Sequence, residues 1–322
     1  MKAIRIHENG GPEKLRLENV PTPVPAAGEV RFRVEAAGLN YVDTYQRSGL
    51  YQTALPHTLG MEAAGTISAL GEGVHGFKLG DRIASARANG AYAEEALVPA
   101  AQLVPLPAGV SAQLGAALLL QGLTAHALAL DVFPLKPGDT ALIHAAAGGV
   151  GLLLTQLAKK RGARVLACVG SEAKVPLARA AGADEVIVTA RDNFAAAARR
   201  LTGGRGVDVV YDSVGKDTFD GSLDSLRPRG MMVSYGNASG PVPAFSPLIL
   251  TQKGSLFFTR PSFGHYVATT EELRVRAAEL FGWVVAGGLH VRIGATFPLA
   301  AAADAHRAIE SRATTGKILL LP

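Results

Sequence analysis

"ALIHAAAGGVGLLLTQLAKKRGARVLACVGS", Ala141 to Ser171, begins apolar, breaks into Ala-Ala-Gly-Gly-Val-Gly and then turns polar at helical spacing. The eighteen residues from Ala141 to Ala158 carry no Asp, Glu, Lys or Arg, which is long enough for a membrane span. A span would not place Gly148-Gly149 at its centre and Lys159, Lys160 and Arg161 at its end. Three features instead describe a strand, a glycine turn and a helix. Thr140–Ala145 is apolar, Ala146-x-Gly148-x-x-Gly151 comes next, and Val150–Arg161 sets Leu153, Leu154 and Leu157 against Thr155, Lys159 and Lys160. In the dinucleotide-binding turn, glycines let the backbone approach a pyrophosphate over a helix N-terminus, where free N–H groups and the helix dipole favour negative charge. Ala146 replaces the first glycine of that fingerprint.

The chain around this turn alternates. Strands are expected at Arg164–Val169, Glu185–Val188, Val207–Tyr211, Gly230–Ser234 and Ser255–Thr259, and helices at Glu172–Ala181, Asn193–Leu201 and Asp217–Leu226. Alternation of this kind predicts a doubly wound parallel sheet of six strands. Before residue 110 the texture is β: "EVRFRVEAAG" alternates Val30, Phe32 and Val34 with Arg31, Arg33 and Glu35, between turns rich in Gly and Pro. From Ser111, an apparent N-cap, "SAQLGAALLLQGLTAHALAL" reads as a long buried helix. Gln121, Thr124 and His126 argue against a lipid-facing one. A helix at Glu271–Ala286 and the β-like "VRIGATFPL" and "KILLLP" close the chain.

Bulk properties agree with a globular protein. At 322 residues and about 100–200 residues per domain, two domains are expected. Net charge is +5, with 32 basic and 27 acidic residues and no dense basic block, so a dedicated nucleic-acid module is disfavoured. Cys168 is the only cysteine, which excludes an intrachain disulfide and a four-cysteine zinc site. The start "MKAIRIHENGG" has no apolar signal core, and a cytoplasmic protein is expected.

The cofactor's identity is carried by the end of the second strand. NAD-binding folds place Asp or Glu there for the ribose 2′-OH, whereas this strand ends in Gly170-Ser171 with Lys174 a turn later. A hydroxyl and a cation suit a 2′-phosphate, which favours NADP. The alternative is that Lys174 is a solvated helix residue, and Glu172 adds an opposing charge.

These residues resemble one family, the zinc-free quinone oxidoreductases of the ζ-crystallin branch of the medium-chain dehydrogenase/reductases. The most specific part is Gly138-Asp139-x-x-Leu142-x-x-x-Ala146-Ala147-Gly148-Gly149-x-Gly151-x-x-x-x-Gln156-x-x-Lys159, and "AAGLNYVDTYQRSGLY", "LTGGRGVDVVYDSVG", "RGMMVSYGNASG" and "QKGSLFFTRPS" are similar too. The resemblance covers the whole chain. It implies an α/β fold, with a Rossmann-type doubly wound parallel sheet plus a mainly β, GroES-like catalytic domain, NADPH in the cleft and a homodimer. The domains would be 1–122 and 263–322 for the catalytic part and 123–262 for the dinucleotide-binding part. The zinc-dependent relatives carry a Cys and a His where this chain has Asn40 and Met61. Only Glu62 remains of that ligand set, and one carboxylate does not hold a catalytic zinc that takes about three protein ligands. A quinone is itself a strong hydride acceptor, so hydrogen-bond donors suffice where an alcohol dehydrogenase needs a Lewis acid.

By the same resemblance, Asn40 and Tyr45 are the catalytic donors. Tyr41, Thr124, Gly148, Gly149, Val150, Gly151, Gly170, Ser171, Lys174, Ser213, Gly236, Asn237, the Phe258 backbone and Arg312 hold NADPH, and no metal is expected. Ordinary packing is the alternative role of Tyr41 and Tyr45. Bacterial members often have Tyr at the position of Thr189, near the adenine. The expected reaction is hydride transfer from NADPH to a quinone, a small-molecule partner. Reduction of α,β-unsaturated ketones or aldehydes is the nearest alternative, and a nucleotide-bound RNA-binding or structural protein is the alternative from another class.

Overall fold

The computed structural model describes all 322 residues, Met1–Pro322. The chain divides into two compact units, Met1–Leu123 with Val267–Pro322, and Thr124–Tyr266.

In Thr124–Tyr266, six strands form one parallel sheet. Across it lie Glu185–Val188, Arg164–Val169, Thr140–Ile143, Val207–Asp212, Leu226–Ser234 and Phe257–Thr259. Numbered along the chain, the order is 3-2-1-4-5-6. This is the doubly wound order, which opens a crevice at the carboxyl ends of the strands where the winding reverses. Val207–Asp212 is buried along its whole length, as strands covered on both faces are. Leu142, Leu166, Ile187, Val210 and Met232 meet Phe219 and Leu223 in the core.

The six strands and four helices expected from the alternation are all present, and the differences at their ends have local causes. The first strand stops at Ile143, because Ala145 turns into left-handed backbone (φ 48°). The helix expected at Glu172–Ala181 divides into a 3-10 turn, Glu172–Lys174, and an α-helix, Val175–Ala180. Pro176 lies in the first turn of the latter, where its missing N–H costs nothing. The last strand is paired only over Phe257–Thr259, since Ser255 also takes a positive φ, 56°.

The other unit is mainly β. Its central strand, Glu29–Leu39, pairs antiparallel with Glu62–Leu70, Glu95–Pro99 and Lys317–Leu321. Val30, Phe32 and Val34 are buried in its core, as the alternation requires. A three-stranded antiparallel sheet of Lys2–Ile6, Arg16–Asn19 and His57–Thr58 belongs to the same unit. The helix Ala112–Ala127 begins where Ser111 Oγ accepts from the Leu114 N–H at 3.1 Å. Its continuation to Val132 makes a run long and apolar enough to cross a membrane, but 72% of the most apolar window is buried inside the protein, as in a core helix.

A polar knot fixes the short helix Tyr41–Ser48. Arg47, almost wholly buried, donates to Gly10 O at 3.0 Å and pairs with Glu310 at 2.5 Å. It also approaches His306 Nδ1 at 3.0 Å. Burial, and then the Arg47 charge, push His306 down to about 3, so its ring is neutral and accepts from Arg47. The unfolded chain binds a proton on this histidine below its ordinary value of about 6.5, while the folded chain does not. Its contribution to stability is therefore present above pH about 6.5 and is lost as pH falls toward 3. Asp43, raised to about 7, has the opposite slope between its own limits, so a comparison of variants is required. His306→Gln, which keeps an acceptor for Arg47, should lose stability less steeply than the unmodified protein between pH 6.5 and 4. Urea midpoints across that range test it, and parallel profiles would sink the assignment.

Candidate active site

Apart from Thr124, the residues singled out in Thr124–Tyr266 gather at or just beyond the carboxyl ends of the parallel strands. After Thr140–Ile143 comes the turn through Ala145, then Gly148 in extended backbone, then the helix Gly149–Lys160. No acidic residue stands in the first turn of that helix, and Gly148, Gly149 and Val150 are partly exposed. A Cβ on Gly151 would come within 2.4 Å of Ala145 O and 2.7 Å of Ala146 Cα. Only glycine lets the helix press so closely on the turn, so its first N–H groups lie open to an anion.

The second strand, Arg164–Val169, delivers Gly170 and Ser171 at its end, both exposed. An added Cβ at Gly170 would meet no protein atom within 4 Å, so the room there is not taken by the protein's own packing. Lys174 is half-buried, and that burial lowers its pKa. Glu172, the one acid in this stretch, is drawn onto Arg191, which also holds Asp192 at 2.9 Å. Its charge is thereby compensated. Ser171 and Lys174 thus offer a hydroxyl and an ammonium at this strand end, beside the exposed Glu172–Arg191 pair. Thr189 Oγ1 donates to Val169 O at 3.2 Å.

At the fourth strand end, Asp212 is fully buried and takes four hydrogen bonds. They come from Val214 N (2.8 Å), Gly215 N (3.0 Å), Thr218 Oγ1 (2.7 Å) and Ser222 Oγ (2.8 Å). This carboxylate fixes the loop that presents Ser213. Gly236 from the fifth strand end lies against it: a Cβ there would be 2.4 Å from Ser213 O. Arg260, which the sequence reading did not single out, donates to Gly236 O and to Ser234 Oγ, each at 3.0 Å. In the amide orientation that satisfies its neighbours, Asn237 accepts from Arg260 Nη2 at 3.0 Å and donates to Gly236 O at 2.9 Å. The Phe258 ring packs on Phe245 and Phe219, leaving its strand backbone as the part available. Thr124 sits within the helix Ala112–Ala127.

In the mainly β unit, Asn40, Tyr41 and Tyr45 share the start of the helix Tyr41–Ser48. Tyr41 donates to Ile309 O at 3.0 Å. Its pKa is raised by burial and eased back by the charge of Arg312, which takes a positive φ of 58°. Tyr45 packs between Tyr41 and Tyr51, with ring centres 6.2 and 5.2 Å away.

Asn40 differs from the sequence expectation. The resemblance assigns its amide to the substrate, but the side chain is buried and fully engaged. Nδ2 donates to Glu62 Oε2 at 2.8 Å and Gly38 O at 3.0 Å, and Oδ1 accepts from Lys317 Nζ at 2.7 Å. Lys317, fully buried, also forms a short ion pair with Glu62, whose other oxygen accepts from Leu120 N at 2.7 Å. An ammonium thus occupies the neighbourhood of Asn40 and Glu62. Asn40, Glu62 and Lys317 are knitted into a cation–carboxylate–amide cluster, with Met61 directly before Glu62 in the chain. A lysine near the C-terminus gave no sequence signal of this, since only the pairing of Lys317–Leu321 with Glu29–Leu39 brings it here. Behind it, Asp43 accepts from Asn40 N at 2.8 Å and Tyr92 OH at 2.9 Å, yet burial still pushes its carboxyl up to about 7.

Residues 149–280 match the zinc-binding dehydrogenase family, and residues 26–108 match the alcohol dehydrogenase GroES-like domain. The chain is 46% identical to a quinone oxidoreductase of Pseudomonas aeruginosa, over 100% of this chain and 99% of that one. It is 42% identical to a 2-haloacrylate reductase of a Burkholderia species, over 98% of each. The crystal structure of the Escherichia coli quinone oxidoreductase complexed with NADPH superimposes with a TM-score of 0.98 at 44% identity, covering 100% of both chains.

The buried ion pair generates a stability prediction. Removing the cation leaves Glu62 as an uncompensated charge in a dry interior, which typically costs about 3–5 kcal/mol. Lys317→Met should therefore be strongly destabilised in urea, and adding Glu62→Gln should recover part of the loss. A single variant that unfolds at the unmodified midpoint would show that Glu62 does not depend on Lys317.

Proposed function

The chain belongs to the quinone oxidoreductase family, and from that premise we propose that it transfers a hydride from NADPH to a quinone without a catalytic metal. The observation that carries this reading is the pair of strand ends in the parallel sheet: an open glycine turn over a helix N-terminus, then an end at Gly170-Ser171 with no uncompensated acid. NADPH, when bound, supplies the hydride. The backbone N–H groups of Gly149 and Val150 bind its pyrophosphate, Gly148 shapes the turn with its own N–H donated to Ala145 O at 2.8 Å, and Gly151 keeps the turn close. Ser171 and Lys174 bind the 2′-phosphate, and Gly170 leaves it room. Ser213, Gly236, Asn237 and the Phe258 backbone line the nicotinamide side, with Arg260 holding Gly236 and Asn237 in place. Thr124, Tyr41 and Arg312 are assigned to the cofactor by resemblance.

Negative charge develops on the acceptor oxygen as hydride arrives. Tyr45 is the donor assigned to it, while Asn40, whose amide is committed to Glu62, Gly38 and Lys317, is a positioning residue for the helix that carries Tyr45. The Lys317 ammonium supports metal independence, because it neutralises the carboxylate that a metal would need. The protein is further proposed to be a cytoplasmic homodimer acting on a small molecule, with no membrane or nucleic-acid partner. Reduction of an activated carbon–carbon double bond is the second reading, favoured by the likeness to a 2-haloacrylate reductase.

The deciding assay is NADPH oxidation across a panel of quinones and a panel of enones, with a strong chelator present. Chelator-resistant turnover with quinones is the expected result. Turnover with enones alone selects the second reading, and chelator-sensitive activity overturns metal independence.

Cofactor choice has its own test. A charge-assisted hydrogen bond to phosphate contributes about 1.5–3 kcal/mol, or about ten- to a hundredfold in affinity. Lys174→Ala should weaken NADPH by about that factor and NADH by much less. Equal losses in fluorescence titrations with the two cofactors would make Lys174 a structural residue.

A further inference from the structure

The mainly β unit contains a cavity of about 380 Å³ that none of the residues assigned to catalysis or cofactor lines. Its wall includes Gln46, His57, Met61, Arg87, Asn89 and Gln102. It nevertheless adjoins the assigned segment in the chain: Gln46 comes directly after Tyr45, and Met61 precedes Glu62.

The chemistry of this wall is one-sided. Arg87 is half-buried, and its guanidinium has neither a hydrogen-bond nor an ion-pair partner in the structure. No Asp or Glu lines the cavity. Burial, and then the nearby Arg5 charge, lower the pKa of His57, so this ring is a neutral hydrogen-bonding group. The side-chain amides of Gln46, Asn89 and Gln102 are likewise without protein partners and offer further donors. One permanent cation, several neutral donors and no opposing carboxylate make a receptor for an anion.

The backbone that carries Arg87 is fixed in advance. Arg87 N donates to Ser85 Oγ at 3.0 Å, Ala88 N to Met61 O at 2.9 Å, Asn89 N to Leu97 O at 2.8 Å and Ala91 N to Gly60 O at 2.9 Å. Gly60 must be glycine: its φ is 93°, and a Cβ would lie 2.4 Å from the Tyr92 ring. A rigid loop that holds an unpaired guanidinium over a cavity is prepared for ligand rather than for folding, since the protein itself gives that cation no partner. The planar fork of Arg matches a carboxylate with two parallel hydrogen bonds.

We propose that this cavity receives the carboxylate of a small, electron-poor acceptor, and that Arg87 is the specificity residue selecting acids over neutral acceptors. The inference rests on the oxidoreductase reading of the site. For an α,β-unsaturated acid the balanced reaction adds hydride from NADPH at the β carbon and a proton from water at the α carbon. The carbon–carbon double bond is reduced, and NADPH leaves as NADP⁺.

The test separates binding from turnover. The NADP⁺-saturated protein is titrated calorimetrically with but-2-enoate and with the neutral but-2-enamide. The acid should bind about tenfold tighter or more, as charge-assisted hydrogen bonds do. Arg87→Gln should erase that preference and Arg87→Lys should retain part of it, with the NADP⁺ affinity of each variant serving as the folding control. Equal binding of acid and amide by the unmodified protein, or an unchanged preference in Arg87→Gln, overturns the proposal. NADPH oxidation by a neutral quinone is run in parallel. Its absence from the unmodified protein defeats the quinone reading, its absence together with that of neutral-enone turnover defeats the oxidoreductase reading, and in either case the titrations alone decide on Arg87.

Discussion

The mainly β unit is organised around a buried ammonium. Lys317 Nζ reaches Glu62 and Asn40 where no water is available to replace them. Placing a lysine and a glutamate in a dry interior costs several kcal/mol per ion unless every donor and acceptor is met. Here the amide of Asn40, the N–H of Leu120 and the carbonyl of Gly38 complete the set. Three elements far apart in sequence are tied together by it: the strand Glu62–Leu70, the strand Lys317–Leu321 and the residue that opens the helix Tyr41–Ser48. The approach is so close that a Cβ on Gly38 would lie 2.4 Å from Ala116 O, 2.6 Å from Glu62 Oε2 and 2.7 Å from Lys317 Cε. Gly38 is thus required by space rather than by backbone angle.

That cluster decides what its neighbours can do. A carboxylate compensated by lysine has no spare charge for a divalent cation, and an amide with all its atoms engaged has no donor to offer a substrate. What Asn40 does instead is hold the entrance of the helix that presents Tyr41 and Tyr45, whose rings pack with Tyr51. The parallel sheet obeys a similar logic with one anion. Asp212 gathers two backbone N–H groups and two hydroxyls, and so sets the loop of Ser213 against Gly236. In the mainly β unit the buried charges are satisfied by groups on several segments, so positions distant in sequence are held to hydrogen-bond tolerance, whereas Asp212 gathers donors from the loop and helix that directly follow it.

Much of the parallel sheet was legible from the residues. Most of its strands are rich in Val, Leu and Ile, as parallel strands covered on both faces are, and its helices begin at recognisable turns, so local pattern and final position agree. Where the pattern misled, the cause was a single backbone feature. Ala145 shortened the first strand by turning left-handed, and Pro176, fixed in a first helical turn, made the α-helix start only after Lys174. The glycine turn was visible because glycine is the residue that permits a helix to press on a strand end, as Gly151 does on Ala145.

Sequence alone determined the class of fold, the lack of Cys or His zinc ligands at Asn40 and Met61 beside Glu62, and the placing of Ser171 and Lys174 at the second strand end. Each of these is a property of neighbouring residues, and chain connectivity preserves it. Tertiary structure alone decided how charges pair. Lys317 meets Asn40 across 277 positions of chain, Glu172 turns to Arg191, Arg260 takes hold of Asn237, and Arg87 is left with no partner. A charged side chain reports its sign in the sequence but not its partner. The partner is set by strand pairing and loop closure, which bring distant residues within hydrogen-bond reach and leave near ones apart.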